Sequence, residues 1–388
     1  MFTPSRFSEL LKTIRRDKFE KSVERHQANK FSKGFGCWQH LIAMLYAQFS
    51  GFGSLRDVEA GFNENANHHY HLGARPIKRA TLADANKTRS VAPFIDLVQL
   101  LMSQVGRTFA RDIRSGIFLL DATPITLRGK GYEWTQATRT KKGQGLKVHM
   151  ELAAEVALPT YLKITPPNVN DITVGQEMPI REGVMYVFDK GYCDYNWWWK
   201  INCANSKFVT RLKNKSAVQV QSLRAIPADE AGLVIEDVEI VLTNRTPRGG
   251  KKIYYCESLR RITIKRKDQR DKTFVLVTND LEASASKIAD LYRQRWQIEL
   301  FFKWIKQNLK IKKFLGKNEN AVRIQILTAL IAYLLAAAFQ RRNRLNHPLR
   351  KIIVAIKSAL FTRIAIDSDR IRRKSDFDSQ QLGLELCS

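Results

Sequence analysis

At 388 residues, 44% hydrophobic and 26% charged, the chain is long enough to bury a large core and to fold as two or three domains. Twenty glycines and eleven prolines fall below average usage, which excludes collagen-like and low-complexity architectures. The 65 lysines and arginines against 37 aspartates and glutamates leave a formal charge of +28, which implies a polyanionic partner, nucleic acid first and an acidic membrane surface second.

The opening segment MFTPSRFSELLKTIRR lacks the apolar core and small-residue cleavage site of a signal peptide, so a cytoplasmic location is expected. Residues 1 to about 105 show helical spacing and no strand pattern. Apolar positions recur from Cys37 to Phe49, and Ser54 with Asp57 forms a capping pair at the start of SLRDVEAGF. The lysines and arginines of this region fit a helical DNA-binding domain or an ordinary solvated face. His68, His69 and His71 have no cysteine or carboxylate partner in a metal pattern, and the segment reads as a loop.

From Gly116 the period changes to that of strands: GIFLLDATPITL, GLKVHMELAAEV, TYLKITPP and, after a helical stretch, GVMYVFDKGY. Three neighbouring strands, a helix and a further buried strand are the beginning of a ribonuclease H-like α/β core. Between about 205 and 280 the pattern is almost wholly β, in KFVTRL, GLVIEDVEIVLTN, KKIYYCESL, RRITIK and KTFVLVTN, broken by the basic turn TPRGGKK; it reads as an inserted antiparallel β subdomain. Helix returns at Ser284 or Ser286, either of which suits an N-cap, and runs to about Lys310. The apolar run from Ile324 to Phe339 falls short of the roughly 20 residues that cross a bilayer and contains Gln325 and Thr328, so a buried core helix is expected. Residues 341–388 read as a basic helical tail. The five cysteines (Cys37, Cys193, Cys203, Cys256 and Cys387) are odd in number and widely spaced, and read as reduced thiols.

Two carboxylates interrupt strands that are otherwise apolar: Asp121 in IFLLDATPI and Asp189 at the end of VMYVFDKGY. Singly, an Asp ending a strand is ordinarily a turn or cap residue. On adjacent strands, however, the two would repel unless divalent cations held them, and such oxygen-rich sites suit Mg²⁺ or Mn²⁺. Further along, Tyr292, Arg295, Glu299 and Lys306 fall at about 0°, −60°, −20° and −40° on a helix of about 100° per residue, a single narrow face. Ile298, Phe301 and Ile305 take the opposite side. An exposed Arg–Glu i,i+4 pair alone would leave the shared alignment of the four polar residues unexplained.

The spacing Tyr-x2-Arg-x3-Glu-x6-Lys at Tyr292, Arg295, Glu299 and Lys306, together with DATPITL and FDKGY, resembles the DDE transposases of bacterial insertion sequences, in the group named after insertion sequence 4. The resemblance implies a catalytic core over about 110–340, containing the β insertion at about 205–280 and preceded by a helical, DNA-binding domain over 1–105. It implies that Asp121, Asp189 and Glu299 are catalytic and hold two Mg²⁺ or Mn²⁺ ions, while Tyr292, Arg295 and Lys306 contact DNA. Tyr292 would donate a hydrogen bond or stack on a base. The implied activity is binding of terminal inverted repeats in double-stranded DNA, cleavage at the element's ends and joining of the 3′-OH to target DNA, by a homodimer at the nucleoid with no membrane partner. A domesticated nuclease or a non-catalytic DNA-binding protein is the alternative. Lys147 with His149, and Asn170 with Asp171, could line the site or play ordinary structural parts. Of Trp197, Trp198 and Trp199, one could offer a stacking platform, with at least two packed in the core.

Overall fold

A computed structural model of the chain describes residues 5–110, 113, 116–135, 144–213, 216–243, 252–265, 273–309 and 313–362. Most of the basic turn TPRGGKK, residue Cys387 and the tail beyond residue 362 lie outside the described residues. The chain divides into two compact units, one formed by residues Gly106–Ile305 and the other by the segments on either side.

The flanking unit begins with seven helices: α1 (Arg6–Leu11), α2 (Arg16–Arg25), α3 (Cys37–Ser50), α4 (Leu55–Glu64), α5 (His69–Leu72), α6 (Arg79–Thr88) and α7 (Ala92–Phe109). The expected cap is present, with Ser54 Oγ accepting from the Asp57 N–H at 3.1 Å. Helix α3 is apolar nearly all round and buried from His40 to Phe49; Gly51, at φ 76°, ends it in the left-handed conformation that favours glycine. The histidine cluster differs from its loop reading: Ala66–Leu72 forms a 3-10 turn followed by α5. His69 explains why, since its buried ring stacks on Phe62 at 4.2 Å and its Nε2 lies 2.9 Å from the Phe62 carbonyl.

The central unit is a nine-stranded sheet in the order β3-β2-β1-β4-β5-β9-β8-β7-β6. Its strands are β1 (Ile117–Thr126), β2 (Gly145–Ala153), β3 (Leu158–Thr165), β4 (Met185–Phe188), β5 (Lys207–Arg211), β6 (Val218–Leu223), β7 (Val234–Leu242), β8 (Leu259–Lys265) and β9 (Thr273–Thr278). Strands β1, β4 and β5 run parallel, while β2 and β3 form an antiparallel hairpin on one side. On the other side β9 to β6 are antiparallel and join β5 directly, so the expected insertion continues the same sheet.

Helices α8 (Asp171–Gly175) and α9 (Tyr195–Cys203) follow β3 and β4. One face of the sheet packs Phe118, Leu120, Phe188 and Phe208 with Trp197 and Trp198, which are buried as expected. Trp199 lies against Tyr255, ring centroids 5.6 Å apart. Of the segment KKIYYCESL, residues 252–258 are not a strand and only Leu259 is, although Ile253 and Tyr255 are buried and Tyr254 is 58% exposed. Its backbone bonds to a side chain of α9 instead of a ladder: Asn196 donates to the Lys252 carbonyl and accepts from the Tyr254 N–H, both at 2.8 Å.

The expected helix from Ser284 divides into α10 (Ala285–Gln294), capped by Ser284 Oγ, and α11 (Trp296–Asn308). The break falls at Arg295, where two bonds close over three residues, Arg295 N–H to the Tyr292 carbonyl and Ile298 N–H to the Arg295 carbonyl. The last two helices, α12 (Glu319–Arg342) and α13 (Leu349–Ser358), fall in the same compact unit as the flanking helices. Helix α12 packs on α1, α3, α6 and α13. It is long and apolar enough to cross a membrane, yet it is buried by its neighbours, which matches the expected core helix. Its Thr328 hydroxyl donates to the Ile324 carbonyl, and Gln48 of α3 donates to the Gln325 carbonyl, so these polar side chains in an apolar interior are bonded.

Candidate active site

The parallel ladder sets the levels of the key side chains. Leu120 of β1 lies opposite Phe188 of β4, and Val187 of β4 lies opposite Val209 of β5. Continuing these registers places Asp121, Asp189 and Arg211 in one row across β1, β4 and β5, on one face and beyond the carboxyl end of β4. Ligand sites of open α/β sheets form at such carboxyl ends. Helix α10 packs over β4 and β5 on this face.

The Arg211 guanidinium donates twice to Asp189 Oδ1, from Nε at 3.0 Å and Nη2 at 2.6 Å, and the Tyr292 hydroxyl donates to the same oxygen at 3.3 Å. Arg211 and Tyr292 are themselves fixed by Phe274 of β9: the guanidinium stacks over its ring at 5.7 Å, and the Tyr292 ring meets it edge-on at 6.3 Å. At the helix break, Arg295 Nη1 contacts Glu299 Oε1 at 2.6 Å and lies 3.9 Å from Asp121 Oδ2. The Arg295 guanidinium, 5.7 Å from the Tyr292 ring centroid, joins the two sets, so the structure brings five of the six proposed residues, Asp121, Asp189, Tyr292, Arg295 and Glu299, onto one network of contacts. Lys306 stands two turns beyond Glu299 in the last turn of α11. Ile298, Phe301 and Ile305 are buried on the other side of that helix, as its pattern requires.

The two aspartates differ in electrostatics. Burial pushes the Asp121 carboxyl up to about 6, with only partial relief from the Ala122 N–H and Arg295. Burial is the largest single influence on Asp189 and pushes it up, but the Arg211 hydrogen bonds, the Lys190 N–H and the charges of Arg211 and Arg295 together outweigh it and hold the carboxyl below its ordinary range. Burial raises Tyr292 to about 12, so it remains a hydroxyl donor at neutral pH.

Among the described residues no three His, Cys, Asp or Glu side chains converge closely enough to cage a metal ion. The Arg295 guanidinium stands between Asp121 and Glu299 instead, and that of Arg211 lies against Asp189. The donor set is nevertheless all-oxygen, anionic and one-fifth to one-third exposed, and Asp121 in particular is an acid whose ionised form lacks full compensation. Such a set fits a hard divalent cation.

Lys147 and His149 lie on the sheet face opposite Asp121, because their ladder partners Pro124 and Ala122 alternate with Thr123 and Asp121. There they hold Asp171 at the start of α8. Lys147 Nζ contacts Asp171 Oδ1 at 3.1 Å, and the buried His149 ring, lowered by desolvation to about 4, is neutral, with Nδ1 3.6 Å from the same oxygen. Arg211 was absent from the sequence reading. A terminal arginine in KFVTRL carries no signal of its own until β5 is known to lie beside β4.

The family model for the transposase DDE domain matches residues 113–335, more than half of the chain, and a family model for a domain of unknown function, DUF4372, matches residues 3–75. The chain is 41% identical over 293 residues to "Putative transposase y4zB" of Sinorhizobium fredii, covering 75% of this chain and 78% of that one. It is 30% identical over 242 residues to "Probable transposase for insertion sequence element IS5377" of Geobacillus stearothermophilus, with 62% and 61% covered. It is also 30% identical over 278 residues to "Putative transposase for insertion sequence element IS4SA" of Synechocystis, with 68% and 72% covered. Among solved structures, a chain of the piggyBac transposase synaptic complex with hairpin DNA is similar with a TM-score of 0.47 at 10% identity, covering 91% of this chain and 77% of that one.

Proposed function

The chain belongs to the DDE transposase family, and on that premise we propose that it binds the terminal inverted repeats of an insertion sequence, cleaves at the ends and joins the resulting 3′-OH to target DNA. The observation that carries this reading is the lateral row of Asp121 and Asp189, with Glu299 delivered to it by Arg295 at the helix break. The strand order β3-β2-β1-β4-β5 supports a ribonuclease H-like core, and the Tyr292-Arg295-Glu299-Lys306 spacing supports membership of the insertion sequence 4 group.

In this reading Asp121, Asp189 and Glu299 hold two Mg²⁺ or Mn²⁺ ions. When bound there, the ions would supply activation of a water or 3′-OH and stabilisation of the leaving oxygen in an in-line displacement at phosphorus. The protein's own groups do the positioning. Arg211 fixes Asp189 through two hydrogen bonds to one oxygen, and Tyr292 adds a third. Arg295 and Lys306, both cationic and on the Glu299 side, donate charge-assisted hydrogen bonds to non-bridging phosphate oxygens. Synapsis of two ends requires two protomers, the flanking helical unit contributes DNA binding, and the reaction takes place on the nucleoid in the cytoplasm.

The test is cleavage of duplex DNA carrying the gene's own flanking sequence, with Mg²⁺ or Mn²⁺, comparing the intact protein with Glu299→Gln. Metal-dependent nicking at the element's ends that falls by on the order of 10³-fold in the variant is expected. Nicking that persists in Glu299→Gln, or is indifferent to chelator, would overturn the reading.

A further inference from the structure

The connection between α2 and α3 presents Phe31 to solvent at 91% exposure, among the most exposed large apolar side chains of the described residues. Phe31 also has φ 65°, in the left-handed region that a residue with a bulky side chain enters only under constraint, and it shares this short connection with Gln27 at φ 48° and Gly34 at φ 83°. A loose loop would relax such a residue and fold its ring inward. This one is held from beneath. Ala28 is buried, with its N–H on the Val23 carbonyl at 2.9 Å, and Asn29 Oδ1 accepts from the Cys37 N–H at 2.7 Å. Arg89, just past the end of α6, donates to the carbonyls of Phe35 and Gly36 at 2.5 and 2.9 Å and to Ser32 Oγ at 3.2 Å. The loop is thus anchored on both sides of a projecting aromatic tip.

The tip is also basic. Lys30 Nζ stands 5.3 Å from the Phe31 ring centroid, and both Lys30 and Lys33 are exposed. A rigid apolar wedge flanked by exposed ammonium groups matches what inserts between base steps of a duplex, with the cations on the neighbouring phosphates. We propose that the Lys30-Phe31-Lys33 loop is a DNA-contacting wedge, in which Phe31 unstacks a base step and the two lysines hold the flanking backbone. This rests on the reading that the protein acts on double-stranded DNA, and adds to it a specific element of the flanking helical unit.

The full-length protein is titrated, over a series of salt concentrations, into fluorescein-labelled duplex DNA carrying the gene's flanking sequence, and the complex is probed with permanganate, which reports unstacked thymines. Phe31→Ala should weaken binding roughly tenfold and abolish a permanganate-reactive thymine, with little change in salt slope. Lys30→Ala and Lys33→Ala should each lower the salt slope by about 1. Phe31→Leu, which keeps a wedge, should retain most of the affinity and reactivity. Phe31→Gly, which relaxes the left-handed backbone, should leave Tm unchanged or raised while binding as poorly as Phe31→Ala, which separates contact from folding. Equal binding and an unchanged permanganate pattern for wild type and Phe31→Ala would overturn the proposal, as would a loss of self-association in sedimentation with DNA affinity intact, since the tip would then dock on a second copy. If the wild type bound no duplex at all, the failure would lie with the underlying reading of DNA activity.

Discussion

Two arginine–aspartate pairs bridge neighbouring strands of the same sheet, and they are built differently. Arg260 of β8 grips Asp237 of β7 with one donor on each carboxylate oxygen, at 2.8 and 2.5 Å, and both side chains are 4% exposed. Arg211 places both of its donors on a single oxygen of Asp189, and both side chains are 30% exposed. The first pair is closed, its charges satisfied by each other and out of reach of any ligand. The second holds its carboxylate by one edge and keeps it at the surface of the cleft. The residue types are the same in both; the number of oxygens engaged, the access of solvent and the place along the strands, inside β7 and β8 in one and at the carboxyl ends of β4 and β5 in the other, distinguish a structural pair from one available for chemistry.

The comparison can be broken most directly by removing each acid. Asp189→Asn should reduce DNA cleavage on the order of 10³-fold while shifting Tm little, whereas Asp237→Asn should destabilise the fold by about 3–5 kcal/mol, because it leaves a buried guanidinium unpaired. Cleavage assays and thermal unfolding of the two variants check this, and equal destabilisation by both would erase the distinction. Next in size, Arg211→Lys keeps the charge but loses the paired donors, and should cost roughly 10–100-fold in cleavage with Asp189 still in place.

Asp121 sharpens the contrast from the side of stability. Its carboxyl is raised from 3.8 to about 6 in the folded protein, so between those values the folded state holds more protons than the unfolded one and stability falls as pH rises. Asp121→Asn should therefore stabilise the metal-free protein by roughly 2–3 kcal/mol above pH 6. The gain should vanish as pH falls towards 3.8, and unfolding in chelator across this range tests it. The smallest effect expected is from Ser284→Ala, which removes the cap of α10 and should lower stability by about 1 kcal/mol without altering the cleavage site.

Much of the site was legible in sequence because its residues violate the local pattern. Asp121 and Asp189 interrupt apolar strands, and the 3.6-residue period aligns Tyr292, Arg295 and Glu299. The break at Arg295 was not legible, since the run keeps helical spacing through a turn that is wound more tightly. Arg211 required tertiary knowledge, because only the parallel pairing of β4 with β5 gives it a neighbour to hold. The segment KKIYYCESL misled for a related reason: alternating burial is the mark of a strand, but here Asn196 supplies the backbone partners. In the flanking unit, α3 and α12 were each recognisable as apolar helices, while nothing local says that they pack together.

That pairing has a consequence for how the protein comes into being. Gln48 of α3 bonds to the carbonyl of Gln325, 277 residues later, across an interface where both helices are apolar on nearly every side. On a ribosome adding 5–20 residues per second, α3 emerges roughly a quarter of a minute to a minute before its partner exists. The intervening sheet is contiguous in sequence and can be completed during that interval. The helices synthesised first are thus among the last to be buried, and a nascent chain stalled before α12 would expose α3 to chaperones and to aggregation.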